Sequence, residues 1–205
     1  MSAQDGRVLP IVGLAGAPGS GKSAVAELLR GLGGVVVDAD RLAREAAEAP
    51  EVRDAVRGWW GPGVLEEDGS LDRAAVAAIV FERPGARRRL EGLIHPRVAA
   101  GRERIHAEAA ADPAARFLVE DCPLLVESGL AAGCDEVWLV EAPFETRRDR
   151  VAHRGWDAEQ LRRRDAAQAS PRRRRAAATR VLRNGGGPAD LAAAVADAAA
   201  GMGIA

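Results

Sequence analysis

Eight consecutive residues near the amino terminus have the types and spacing to hold a phosphate chain: Gly16-Ala17-Pro18-Gly19-Ser20-Gly21-Lys22-Ser23. A loop that wraps an anion turns its backbone N–H groups inward, and glycines leave no side chain to obstruct that turn. The apolar run Leu9-Pro10-Ile11-Val12-Gly13-Leu14 leads into the loop and reads as a strand. A helix is expected from Lys22, with its free N–H groups and positive dipole end aimed at the anion. In this strand–loop–helix setting Lys22 is placed to reach the β- and γ-phosphates, and the Ser23 hydroxyl to hold Mg²⁺. Pro18 is compatible, because that position need not donate a hydrogen bond. The pattern implies a protein that handles a nucleoside triphosphate.

Carboxylates and arginines come next. The buried-strand pattern Val35-Val36-Val37 ends in Asp38-Ala39-Asp40. Sites on open parallel sheets lie beyond the carboxyl ends of the strands, and residues two positions apart on a strand face the same side. Asp40 is the candidate to orient an acceptor hydroxyl and take its proton. Asp38 is the candidate to assist Mg²⁺, its water or the local structure, and is counted with the substrate-binding residues; capping of the next helix is the alternative for both. A later strand ends in Glu120-Asp121, and Asp121 is the candidate for ordering Mg²⁺ water, with a structural role equally open. Arg150 and Arg154 lie one helical turn apart and share a face. On a lid they would stabilise charge on a moving phosphoryl group; a solvated charged face is the other reading. The Arg172–Arg175 run reads as solvated surface, His95 before Pro96 is a weak signal alone, and His106 and His153 read as exposed.

The elements that must position these residues follow from punctuation and periodicity. Strands are expected at 11–14, 35–37, 117–120, 136–140 and 181–182, alternating with helices as in a right-handed βαβ architecture. Between the second and third strands the chain reads as helical, with Pro50, the Trp59-Trp60-Gly61-Pro62-Gly63 turn and His95-Pro96 as breaks and Asp72 as a helix cap. Asp157 and Asp190 are expected to cap later helices. The fold class is therefore α/β: a core with a five-stranded parallel sheet, a helical insertion and an Arg-rich helical lid. The expected division is 9–40, 112–143 and 177–205 for the core, 41–111 for the helical region and 144–176 for the lid.

Composition bounds the rest. The 205 residues are 47% hydrophobic, enough for one α/β domain with a small insertion. A net charge of −1 gives no global case for nucleic acid. Cys122 and Cys134 lack metal-site spacing and read as buried free thiols. No apolar run approaches the length of a membrane span and no signal peptide precedes the first strand. The expectation is a cytoplasmic monomer without nucleic-acid or membrane partners.

At Val37-Asp38-Ala39-Asp40 a resemblance becomes specific, and the chain resembles the dephospho-coenzyme A kinases. The matching pieces run in order: the loop from Gly13 to Ser23, Val37–Asp40 with Arg44 following, Asp68–Arg73, Leu93-Ile94-His95-Pro96, Pro123–Gly129, Arg150 and Arg154, Gln168-Ala169-Ser170, and Val181–Gly185. The resemblance implies transfer of the γ-phosphoryl of ATP, with Mg²⁺, to the ribose 3′-hydroxyl of dephospho-coenzyme A. It implies a P-loop kinase core, a helical substrate domain and a lid. Asp40 resembles the family's catalytic base; Lys22 and Ser23 its phosphate and Mg²⁺ contacts; Arg44 and His95 its acceptor site; Arg150 and Arg154 its lid contacts; Asn184 and Gly185 its adenine loop. The sequence departs from the family where Thr-Gly-Gly-Ile is replaced by Ala15-Gly16-Ala17-Pro18, where Ala24 follows the P-loop serine, and where Asp-Asp-Val-Ile-Asp-Asn is replaced by Thr179–Asn184. Two alternatives stay open on the residues: another small-molecule or nucleotide P-loop kinase, and a nucleotide-binding paralogue without catalysis.

Overall fold

The computed structural model describes residues 8–203; the last two positions of the expected core segment 177–205 lie outside them. Five strands, β1 (Ile11–Gly16), β2 (Gly34–Asp38), β3 (Phe117–Asp121), β4 (Glu136–Glu141) and β5 (Arg180–Arg183), form one sheet in the order β2-β3-β1-β4-β5. All four pairings are parallel. The helices are α1 (Lys22–Gly31), α2 (Ala39–Ala47), α3 (Pro50–Trp60), α4 (Arg73–Glu82), α5 (Pro84–Ala111), α6 (Phe144–Val151), α7 (Ala158–Ala166), α8 (Pro171–Ala177) and α9 (Pro188–Gly201).

The chain forms two compact units. The larger takes in the chain up to Asp38 and from His106 onward; the smaller is Ala39–Ile105. The segment expected to stand as a separate lid, 144–176, groups with the sheet in the larger unit.

In the larger unit the central strands are apolar on both faces, as a parallel sheet covered by helices requires. Val12, Leu14, Val119 and Val140 of the strands pack with Val25 and Leu29 of α1 and Leu191, Val195 and Ala199 of α9. Trp138 is fully buried, and its indole Nε1 donates to Glu136 at 2.6 Å. Glu136 also accepts from Arg180 at 2.7 Å, tying β4 to β5 at the amino edge of the strands.

The smaller unit has its own apolar centre of Val52, Val56, Val64, Leu71 and Val76. Asp72 caps α4 as its type and position dictate, accepting from Ala74 N at 2.9 Å and Ala75 N at 3.0 Å.

Three sequence expectations are corrected. Asp38 and Asp40 do not share a strand: β2 stops at Asp38, and Asp40 lies in the first turn of α2. The small, helix-favouring Ala39 lets the helix begin at once. His95-Pro96 does not break the chain, because α5 runs through it for 28 residues. Pro96 has no N–H to give the Gly92 carbonyl, and the Arg97 guanidinium donates to the adjacent Leu93 carbonyl at 3.0 Å. Asp190 is not the cap of α9 but lies inside its first turn, reaching back to accept from Gly187 N at 2.9 Å. Asp157, by contrast, caps α7 as expected, in a reciprocal pair with Gln160.

Candidate active site

The phosphate-binding loop leaves the sheet at Gly16, the last residue of the central strand β1, and re-enters helix at Lys22. Gly19 and Gly21 hold φ angles of 76° and 100°, which side-chain-bearing residues rarely adopt. A Cβ on Gly21 would lie 2.1 Å from the Asn184 amide nitrogen, so glycine is also required by close packing. Lys22 donates to the Gly16 carbonyl at 3.1 Å, folding its chain back over the loop. Ala17 is buried, Pro18 half-buried and Ser23 exposed at the start of α1. Ser20 is 1% exposed, and its hydroxyl is the one buried side-chain polar atom without a hydrogen-bond partner among the described residues.

An orphaned hydroxyl inside a loop of this type fits a ligand that brings oxygen acceptors, as a phosphate chain does. The donor set also suits Mg²⁺. The Ser23 hydroxyl and the carboxylates of Asp38 and Asp121 are hard oxygen ligands of the kind that complement substrate phosphates. Asp38 and Asp121 end adjacent strands and are both half-buried.

The residues after β4 close one side of the loop. Arg150 on α6 donates to the Ser20 carbonyl at 3.4 Å and to Asn184 Oδ1 at 3.2 Å. Asn184, just past β5 and buried, donates from Nδ2 to the same Ser20 carbonyl at 2.8 Å. Its side-chain amide thus ties the P-loop to α6 through Arg150, while Gly185 sits exposed beside Pro143. Arg154 does not join Arg150. Helix α6 stops at Val151, a 3₁₀ turn follows, and Arg154 is exposed with its guanidinium 5.6 Å from the Trp156 ring centre.

The smaller unit carries the remaining candidates on its own elements. Asp40 and Arg44 are exposed on α2, and His95 is exposed on α5. His95 also borders a cavity of about 370 Å³ between α4 and α5, with Phe81 and Leu90.

Residues 10–190 match the family model described as dephospho-CoA kinase. The chain belongs to the dephospho-CoA kinase family. A dephospho-CoA kinase of Deinococcus radiodurans is 44% identical over 176 residues, which is 85% of this chain and 84% of that protein. One from Thermobifida fusca is 42% identical over 189 residues, 91% of this chain and 92% of its own length. Among solved structures, a Thermus thermophilus protein is 36% identical with a TM-score of 0.79, covering 95% of this chain and 98% of that one. A dephospho-CoA kinase from Campylobacter jejuni shares the fold at 19% identity and a TM-score of 0.65, over 94% of this chain and 96% of that one.

Sequence reasoning missed part of the site in this dephospho-CoA kinase family member. Arg147 is buried, donates to the Pro18 carbonyl at 3.2 Å and holds Asp165 through paired contacts of 2.8 Å. Its ring neighbour Phe144 lies 5.5 Å below the guanidinium, with Arg162 at 5.0 Å on the same ring. Arg174 is also buried, which corrects the reading of Arg172–Arg175 as uniform surface; Arg172, Arg173 and Arg175 are exposed. The available signal was helical phase: Ser170 caps α8, and one position in four then turns inward.

Proposed function

We propose that this chain transfers the γ-phosphoryl group of ATP to the ribose 3′-hydroxyl of dephospho-coenzyme A, giving coenzyme A and ADP. The observation that carries the ATP half is the buried, unpartnered Ser20 hydroxyl within a glycine-shaped loop that also holds Lys22. The acceptor half rests on family membership over residues 10–190.

The P-loop amides, Ser20 and Lys22 bind the phosphate chain, with Gly16 to Gly21 shaping the cradle. Ser23 and Asp121 would hold Mg²⁺, which would supply neutralisation of charge on the phosphates. Asp40 accepts the proton of the 3′-hydroxyl as its oxygen bonds to the γ-phosphorus and the bond to the β-phosphate oxygen breaks, so that ADP leaves with that electron pair. Arg150 and Arg154 stabilise charge on the transferring group; for Arg154 this requires leaving Trp156 for the P-loop. Arg44 and His95 hold the acceptor, Asp38 supports the metal's water, and the Asn184–Gly185 backbone borders the adenine.

The test is mass-spectrometric detection of coenzyme A after the protein is mixed with ATP, Mg²⁺ and dephospho-coenzyme A. Product formed by the wild type and not by Lys22→Ala is the expected result. A folded, ATP-binding wild type that makes no product would overturn the proposal.

A further inference from the structure

In the larger unit a cavity of about 240 Å³ opens where the P-loop passes into α1. Gly21, Ala24, Pro188 and Leu191 give it small and apolar walls, and Arg150 and Asn184 are its polar side chains. A phosphate chain held on Gly16 to Ser23 brings the rest of its nucleotide to this end of the loop. The base is the flat, largely apolar part that such walls accept.

Both polar side chains are already engaged. Asn184 is 5% exposed. Its Nδ2 donates to the Ser20 carbonyl at 2.8 Å and its Oδ1 accepts from Arg150 at 3.2 Å, so both ends of the amide serve the P-loop. An amide that is free to do so reads adenine through N6 and N7; this one is turned to another task. Arg150 is tied to the Ser20 carbonyl as well, at 3.4 Å. Its remaining N–H donors suit N7, an acceptor that adenine and guanine share.

Backbone is left to meet the edge of the base. The turn after β5 is Gly185-Gly186-Gly187. Its ends are fixed: Asn184 N donates to the Glu141 carbonyl at 2.7 Å, and Gly187 N to Asp190 Oδ2 at 2.9 Å. Between them, the N–H groups of Gly185 and Gly186 have no hydrogen-bond partner among the described residues. A peptide between two glycines turns over at little cost, because no Cβ opposes a positive φ. It can offer C=O to the N6 amino group of adenine or N–H to the O6 of guanine.

We propose that this chain takes GTP as well as ATP as phosphoryl donor, because a glycine backbone and no dedicated side chain meets the purine. That this cavity receives the base of a donor rests on the kinase reading above; the indifference to which purine rests on Asn184 and the glycines. The transfer step is the same with either donor. The 3′-oxygen bonds to the γ-phosphorus, its proton passes to Asp40, and the bond to the β-phosphate oxygen breaks with its electron pair going to GDP. A side chain built to hydrogen-bond one base would reject the other by about 10⁴-fold or more. Here kcat/KM for ATP is expected to exceed that for GTP by no more than about tenfold.

The experiment measures initial rates with dephospho-coenzyme A, Mg²⁺ and either ATP or GTP. Coenzyme A and GDP are both quantified by mass spectrometry, so that traces of ATP in the GTP are not counted. Calorimetric titrations with ADP and GDP run alongside. Coenzyme A formed from ATP with GTP more than about tenfold weaker would overturn the inference and leave the kinase reading standing. No coenzyme A from either donor, with ADP and GDP bound within about tenfold of each other, would sink the transfer reading and support the base-indifferent cavity. Binding of neither nucleotide would overturn both. Ala24→Phe, at an exposed position of α1 on the cavity wall, puts a ring where the base lies. It is expected to raise KM for ATP and GTP by a similar factor and to leave the affinity for tripolyphosphate, which has no base, unchanged. Wild-type KM values for both donors in Ala24→Phe would overturn the placement of the base and the inference with it.

Discussion

Asp38 and Asp121 are register partners, side by side as the last residues of β2 and β3. The next strand across continues the row, with Leu14 of β1 opposite Asp121. In-register residues of parallel neighbours present their side chains to the same face, so two carboxylates from distant parts of the sequence share one corner of the sheet's carboxyl edge. That pairing makes Asp121 the carboxylate to test for the metal. Asp121→Asn is expected to raise the Mg²⁺ concentration for half-maximal activity by about tenfold, the scale on which groups supporting a metal act. A Mg²⁺ titration of the transfer rate checks this, and an unchanged midpoint would assign Asp121 a structural role.

Asp40 opens α2 two positions after that corner and is exposed. Removing a general base slows transfer by about 100-fold or more, and it leaves the P-loop intact. Asp40→Asn is therefore expected to lower kcat by at least that factor while ATP affinity in calorimetry stays within about twofold. Near-normal turnover would refute the assignment.

The Arg147–Asp165 pair supports the loop from behind, since the same guanidinium donates to the Pro18 carbonyl. Its side chains are 11% and 26% exposed, so taking away one partner leaves a largely desolvated charge. Asp165→Ala is expected to reduce unfolding free energy by about 3 kcal/mol, the lower end for a broken buried pair. Urea unfolding measures it; a loss within about 0.5 kcal/mol would show that water replaces the carboxylate.

Glu136 gives a pH dependence with a definite sign. Burial raises its carboxyl pKa, but hydrogen bonds from Arg180 and Trp138 and the Arg180 charge outweigh this and hold it below the ordinary 4.5. A folded-state pKa below the unfolded one adds stability that is present above the unfolded value and lost as pH falls through the folded value. The stability difference between the wild type and Glu136→Gln should be constant from pH about 8 to about 6 and narrow below about 4.5. A difference that persists unchanged in acid would mean that packing of Glu136, not its charge, sets the effect.

Much of this was legible in the chain. Gly16 to Ser23 announced strand, loop and helix because each feature depends on neighbours in sequence: an apolar run, glycines at turning points and a cation at the helix start. Asp72 and Asp157 were readable as caps for the same reason. Asp40 was read in the wrong element because a strand end and a helix start two residues apart leave no room for a separate signal. His95-Pro96 was read as a break because the rule against proline inside a helix takes no account of a neighbouring side chain, here Arg97, that bonds the Leu93 carbonyl.

The sequence by itself determined the fold class, the phosphate loop and the family, since these follow from local pattern and from motifs in order along the chain. Only the tertiary structure decided which arginines matter in the larger unit. Arg147, Arg150, Arg154 and Arg174 are alike in type and sit among other arginines, so nothing local separates them. Packing does. It buries Arg147 against Asp165, clamps Arg150 to Asn184 and Ser20, leaves Arg154 over Trp156, and turns Arg174 inward onto the Gln168 amide. An arginine's environment depends on residues far away in sequence. For a charged group in a folded protein, that environment sets whether it is solvated, paired or tied to a neutral group.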